Sequence, residues 1–215
     1  MKLGTALLVI EFTLLCVALP GYIIATRSAA YMFFFLWLAT LYCFFIYRYT
    51  HFESWHKLWG WGAVTWQNLK PILLRFAAVC VFLVAFTYFY DPERFFFLAK
   101  EKPEIIPRIF LLYPLLSALP QEFIFCTFFF ARYAVFFKGW GLILASALTF
   151  AYAHVLFINP IAPTFSFAAG VIFALTYMKH KSLALVTIEH GLYGNALFLT
   201  GLGWYFHGGD VETLA

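Results

Sequence analysis

The sequence predicts an all-α fold, a polytopic transmembrane helix bundle of about seven spans. Of its 215 residues, 64% are hydrophobic and only 11% are charged, whereas soluble domains average about 45–50% apolar and about 25% charged residues. This composition excludes a soluble globular domain and a disordered chain. The four cysteines lie inside apolar runs and are too few for a disulfide scaffold.

Seven apolar stretches are each long enough for one membrane crossing, which takes about 20 residues for roughly 30 Å of hydrocarbon. They run approximately over Leu3–Ala25, Ala29–Tyr47, Pro71–Tyr90, Ile109–Phe130, Gly139–Phe157, Ile161–Met178 and Leu183–Phe206. Because no tract is left for a soluble domain, residues 1–215 are predicted to form a single integral membrane domain. The aromatic-rich intervals 48–70 and 91–108 are predicted to lie at the membrane interface.

The basic residues of the loops predict the orientation, since cytoplasmic loops carry an excess of Lys and Arg. One side of the predicted topology has Lys2, Arg48, Lys57, Lys70, Arg132, Lys138, Lys179 and Lys181, and the other has Arg27, Arg94, Lys100 and Lys102. We therefore expect a cytoplasmic N terminus and an external C terminus. The net charge of +4 is too small and dispersed for a nucleic-acid surface, so no nucleic-acid partner is expected.

Six ionisable side chains fall inside the predicted spans, where a charge costs about 2.5–3.5 kcal/mol to insert. They are Glu11, Arg75, Glu122, His154, Glu189 and His190. Glu11 and Arg75 are predicted to form an interhelical ion pair, or Arg75 to snorkel toward Lys70. The other four lie on the last four spans, where a polar cluster is expected.

Glu122, His154 and His190 are predicted to lie at similar depth, about 15, about 24 and about 13 Å from the nearest cytoplasmic basic residue. One carboxylate and two imidazoles suit a divalent metal such as zinc, and a purely structural hydrogen-bonded cluster is the alternative. Pro120 is expected to kink the fourth helix and free backbone carbonyls beside Glu122. Phe150 shares a helix face with His154 and is expected to pack beside its imidazole.

The last span places its polar residues on different faces. Glu189 is turned about 100° from His190, which favours Glu189 as a hydrogen-bonding or interhelical partner rather than a member of the same centre. Asn195 is offset from His190 by about 140°. It reaches the same site only if Gly191 and Gly194 permit a bulge or local unwinding.

Three motifs follow one another on consecutive predicted spans. They are Pro120-Gln121-Glu122-Phe123-Ile124-Phe125-Cys126, Phe150-Ala151-Tyr152-Ala153-His154 and Glu189-His190-Gly191-Leu192-Tyr193-Gly194-Asn195. In this order and spacing they resemble the CAAX protease and bacteriocin-processing (CPBP) family, intramembrane metalloproteases that include the type II CAAX prenyl endopeptidases. The family pattern is Glu-Glu-x-x-x-Arg, Phe-x-x-x-His and His-x-x-x-Asn or Asp. Here Gln121 and Cys126 replace the first Glu and the Arg, and the third motif is one residue longer.

The resemblance covers a family-like core of about residues 109–206 and implies an intramembrane metal-dependent endopeptidase. Its substrate would be a membrane-associated or lipid-modified peptide in the lipid bilayer, hydrolysed by Glu/His-activated water. The implied catalytic residues are Glu122 as base, His154, His190, Asn195 and Gln121, the last as an oxyanion donor. The implied ligands of a divalent metal, zinc first, are His154, His190 and Glu122. The implied location is a bacterial cytoplasmic (inner) membrane.

Two other functions stay open. The departures at Gln121 and Cys126 fit a catalytically degenerate family member that binds a peptide as an immunity or chaperone protein. A proton-coupled transporter would also place Glu and His in mid-membrane, although the sequence shows no internal repeat of the kind typical of transporters. The His-Glu-x-x-His motif of zincin-like proteases is absent from the sequence.

Overall fold

The structure, a computed structural model, describes residues 3–206, and every regular element in that range is helical. The predicted helical bundle is thus confirmed. Six described helices are long and apolar enough to cross a membrane: α1 (Gly4–Ala25), α2 (Ala29–Thr50), α3 (Trp66–Tyr90), α4 (Pro103–Tyr133), α5 (Trp140–Phe157) and α6 (Ile161–His180). Lys2, which entered the orientation argument, lies outside the described residues.

The seventh predicted span is a helix, α7 (Leu183–Thr200), followed by a 3-10 segment, Leu202–Phe206. It does not belong to the six apolar helices, because its centre carries Glu189, His190 and Asn195. Helix α7 packs against α3, α4 and α6, and most of its residues are buried. Its polar side chains therefore face protein rather than lipid, the arrangement expected for ionisable residues in a bundle.

The interval between α2 and α3 folds onto the start of α7. It contains a short helix, Trp55–Trp59, capped by Gly60 in the left-handed conformation. The Ser182 hydroxyl donates to the carbonyl oxygens of Trp59 (3.1 Å) and Gly60 (2.9 Å). A Cβ on Gly60 would lie 2.8 Å from the Ser182 Cα, so both the backbone angle and the close approach require glycine here.

Helix α4 departs from α geometry around Pro120. Two π-helical segments, Pro114–Ala118 and Phe123–Phe128, flank the turn that carries Glu122. Pro120 has no N–H to offer the Leu116 carbonyl four residues earlier, and the Trp37 indole of α2 donates to that oxygen instead (3.1 Å). Side chains of neighbouring helices thus satisfy carbonyls that the irregular helix releases, as a membrane interior requires.

Replacing Trp37 with phenylalanine is expected to destabilise the protein by roughly 1–3 kcal/mol, since the Leu116 carbonyl loses its indole donor. The measurement is the free energy of unfolding in detergent. Trp140→Phe is the matched control, because the Trp140 indole is exposed and makes no hydrogen bond within residues 3–206. Equal stability of the two variants would show that the indole bond contributes nothing.

Glu11 does not pair with Arg75, so that prediction is wrong. Glu11 accepts two hydrogen bonds from Arg132 at the end of α4, at 2.8 and 2.9 Å. The ring of the neighbouring Phe12 packs on Tyr133 with centroids 5.2 Å apart. Helix α1 therefore lies beside the end of α4, where Arg132 is within reach. Position along the sequence alone does not distinguish Arg75 from Arg132 as the partner of Glu11.

Arg75 pairs instead with Glu189 of α7, its Nη2 lying 2.7 Å from the carboxylate. Glu189 is fully buried and also accepts from the hydroxyls of Thr176 (2.6 Å) and Tyr193 (2.9 Å). Glu189 is thus the interhelical partner that its helical offset predicts. This network joins α3, α6 and α7 behind the face of α7 that carries His190.

Candidate active site

A buried carboxylate and an imidazole form the centre of the candidate site. The Glu122 side chain is 1% exposed, and its Oε1 lies 2.7 Å from the Nδ1 atom of His190. A carboxylate oxygen accepts hydrogen bonds, so Nδ1 carries a hydrogen in this pair. The second ring nitrogen, Nε2, lies 2.9 Å from the hydroxyl oxygen of Tyr113. Both nitrogens of His190 are therefore engaged.

Two glycines of α7 let the Tyr113 segment come this close. A Cβ on Gly194 would lie 2.1 Å from Cε1 of Tyr113, and one on Gly191 would lie 3.1 Å from the Pro114 side chain. Helix α7 continues regularly through both glycines, so it lacks the bulge that Asn195 would need to reach the site of His190. Their small size serves close helix packing instead. Sequence reasoning missed Tyr113, and the Gly-x-x-Gly spacing after His190 was the signal that could have indicated a close neighbour.

His154 lies where the α-helical part of α5 ends, as the residue that caps Trp140–Ala153. Its Nδ1 is 2.7 Å from the Phe150 carbonyl oxygen, which can only accept, so Nδ1 carries the hydrogen. In the neutral ring the lone pair is then on Nε2, which makes no hydrogen bond within the described part of the chain. The Phe150 ring packs 4.6 Å from the His154 ring, as predicted, and 5.8 Å from the His190 ring.

The two histidines and Tyr113 line one cavity of about 510 Å³. Its walls are mostly apolar and aromatic. Gln121 also lines it, and its amide nitrogen donates to the Ser117 hydroxyl (2.8 Å). Glu122 does not line the cavity; it lies behind His190. The structure thus brings together His154, His190 and Gln121 on the wall, with Glu122 as the buried partner of His190.

Asn195 is not brought to this site. Its amide donates to the Phe110 carbonyl oxygen at 3.3 Å, and the side chain does not line the cavity. The cause is the regular course of α7, which keeps Asn195 turned away from His190 by about 140°. The expected catalytic role of Asn195 has no support in this geometry.

Cys126 occupies the position where the family pattern has an arginine. The thiol is 2% exposed and belongs to the main apolar core. Glu122 nevertheless has a nitrogen partner, because His190 Nδ1 supplies it. The hydrogen bond that an arginine would offer the carboxylate therefore comes from α7.

The turns after α7 close the cavity beside His154. The Phe206 ring lies 5.9 Å from the His154 ring. The neighbouring Tyr205 is fixed at both ends, because its carbonyl accepts from Asn159 (2.8 Å) and its hydroxyl donates to Asp91 (2.6 Å). The 3-10 segment Leu202–Phe206 is thus held to the segment before α6 and to the end of α3.

The residues present do not fit a three-ligand metal site in this arrangement. Among residues 3–206, no group of three or more His, Cys, Asp or Glu side chains is placed to hold a metal ion. Of the expected ligands, His190 has both nitrogens hydrogen-bonded, and Glu122 is bonded to His190 and shielded from the cavity. Zinc therefore stays a prediction from the resemblance, and metal analysis of the purified protein would test it.

The comparison with family models identifies this part of the chain. The type II CAAX prenyl endopeptidase Rce1-like family matches residues 103–196. Residues 103–196 belong to the CAAX protease family. This family indicates a protease. The matched CAAX protease segment contains Tyr113, Gln121, Glu122, His154 and His190. No curated protein and no solved structure matches the chain.

Proposed function

We propose that the chain is an intramembrane endopeptidase that hydrolyses a membrane-associated or lipid-modified peptide bound in the cavity. The observation that carries the proposal is the convergence of His154, with a free Nε2, and the Glu122–His190 pair on one cavity. An imidazole with a free lone pair is suited to take a proton from water. The family of residues 103–196 supports peptide hydrolysis as the chemistry.

The proposed reaction uses His154 as the general base and then as the general acid. Water bound to His154 Nε2 attacks the peptide carbonyl carbon, so that a C–O bond forms and the proton passes to Nε2. The tetrahedral intermediate then collapses, the C–N bond breaks, and His154 returns the proton to the leaving amine. Glu122 orients His190 from behind. This differs from the sequence expectation that Glu122 is the base, since Glu122 does not line the cavity.

The shape of the cavity supports a substrate that comes from the membrane. Its wall includes Phe33 of α2 and Phe82 of α3, which are 48% and 52% exposed on the outer surface of the bundle. The cavity therefore extends from the histidines to side chains that face lipid. An apolar peptide segment or an attached lipid chain would find apolar walls along this path. A bacterial cytoplasmic membrane and a cytoplasmic N terminus stay predictions.

A comparison of peptide termini in host cells tests the proposal. Quantitative mass spectrometry would compare membrane and secreted peptides from cells with the native protein, His154→Gln or the control His56→Gln at matched expression. His56 lies on the exposed short helix Trp55–Trp59. We expect new termini with the native protein and with His56→Gln, and none with His154→Gln. Identical termini in all three strains would contradict hydrolysis and favour the peptide-binding alternative.

A further inference from the structure

We propose that the Tyr113 hydroxyl is a further catalytic group, which donates a hydrogen bond to the carbonyl oxygen of the peptide under attack. The inference rests on the proposed function, because it assigns a role within the same hydrolysis. Tyr113 belongs to none of the three motifs. Its candidacy comes from its position between His190 and the cavity.

Tyr113 is the last member of a hydrogen-bonded series that begins at a buried charge. Glu122 bonds His190 at 2.7 Å, and His190 bonds the Tyr113 hydroxyl at 2.9 Å. Within residues 3–206 the hydroxyl makes no other hydrogen bond. The ring is held against Gly194 and lies 5.2 Å from the Phe198 ring. The Tyr113 hydroxyl is thus held at the cavity wall, with His190 as its one hydrogen-bond partner among the described residues.

The chemistry of this series allows the hydroxyl to donate into the cavity. The hydroxyl hydrogen rotates about the C–O bond, so the Tyr113 hydroxyl can donate either to His190 Nε2 or into the cavity. When a peptide is bound, it can donate to the carbonyl oxygen that becomes negative as water adds. Tyr113 keeps its proton throughout, since the proton of the attacking water goes to His154. A fixed donor in a site shielded from water stabilises such an oxyanion strongly.

Gln121, the predicted oxyanion donor, and Asn195 each make an amide hydrogen bond elsewhere. The Gln121 amide nitrogen donates to Ser117, and the Asn195 amide donates to the Phe110 carbonyl. The Tyr113 hydroxyl is hydrogen-bonded to His190, one of the two histidines of the site. Of these three donors, the Tyr113 hydroxyl is therefore the one that is hydrogen-bonded to a catalytic histidine.

The test is Tyr113→Phe, measured on the purified full chain in lipid discs with a peptide identified from the cellular termini. We expect kcat to fall about 10²- to 10³-fold, the usual effect of removing one oxyanion donor, with KM unchanged. Affinity for a phosphonate analogue of the tetrahedral intermediate should fall, while affinity for the uncleaved peptide should not. Incorporating 4-aminophenylalanine at position 113 should restore part of kcat, because it supplies an N–H donor.

Tyr42→Phe is the matched control, since it removes a tyrosine hydroxyl that hydrogen-bonds another side chain, Glu11 at 3.2 Å, but lies away from the cavity. An unchanged kcat in Tyr113→Phe, in a native protein that cleaves, would overturn this inference and leave the proposed function intact. Equal loss in the 4-aminophenylalanine protein and in Tyr113→Phe would overturn it as well. A native protein that cleaves no peptide would overturn the proposed function and this inference together.

Discussion

Glu122→Gln is expected to lower kcat about 10²- to 10³-fold, because the Glu122–His190 pair positions the Tyr113 hydroxyl and one oxyanion donor contributes that much. The substitution keeps the shape of the side chain but removes the charge that accepts from His190 Nδ1 at 2.7 Å. The amide can instead present an N–H to that nitrogen and reverse the tautomer of His190. The measurement is kcat of the purified protein in lipid discs, with the free energy of unfolding measured in parallel.

The control is Glu104→Gln, which removes a charge from an exposed position in the 3-10 turn at the start of α4. It should leave both cleavage and stability unchanged. If Glu122→Gln retained native cleavage, the Glu122–His190 pair would be structural only. A loss of cleavage accompanied by unfolding would also place the role of Glu122 in folding rather than in catalysis.

Arg75→Met is expected to have the largest effect on folding, a loss of roughly 3–5 kcal/mol, because it leaves a buried carboxylate without its charged partner. Glu189 is fully buried and lies 2.7 Å from Arg75 Nη2. Methionine retains much of the apolar length of the arginine stem, so the change mainly removes the charge. The measurement is the free energy of unfolding in detergent.

The double variant Arg75→Met/Glu189→Gln is expected to recover most of that loss. The Thr176 and Tyr193 hydroxyls bond different oxygens of the carboxylate, at 2.6 and 2.9 Å. In the amide, the oxygen can accept from one hydroxyl and the N–H can donate to the other. No unpaired charge then remains in the bundle. Native stability in Arg75→Met alone would contradict the account of this network.

The sequence predicted the helical bundle and several of the residues at the site because both depend on local patterns. Apolar length predicts a membrane helix. The motif order indicated Glu122, His154 and His190, and the four-residue spacing predicted the contact between Phe150 and His154 that the structure has.

Partners between helices could not be predicted in the same way. Glu11 binds Arg132 and Arg75 binds Glu189, a choice that depends on which helices are neighbours. The role of Glu122 changed for the same reason, since only the packing of α4 against α7 places the carboxylate behind His190. Tyr113 belongs to none of the motifs. Its place at the site depends on the close helix packing that Gly191 and Gly194 permit.

The measurement that tests the central claim most directly is hydrolysis in ¹⁸O-labelled water by the purified chain in lipid discs. The probe is the membrane peptide identified from the cellular termini. The account predicts that each new carboxyl terminus gains one ¹⁸O atom from water with the native protein, and that His154→Gln forms no product. Absence of a cleaved product with the native protein, or equal cleavage by His154→Gln, would contradict it.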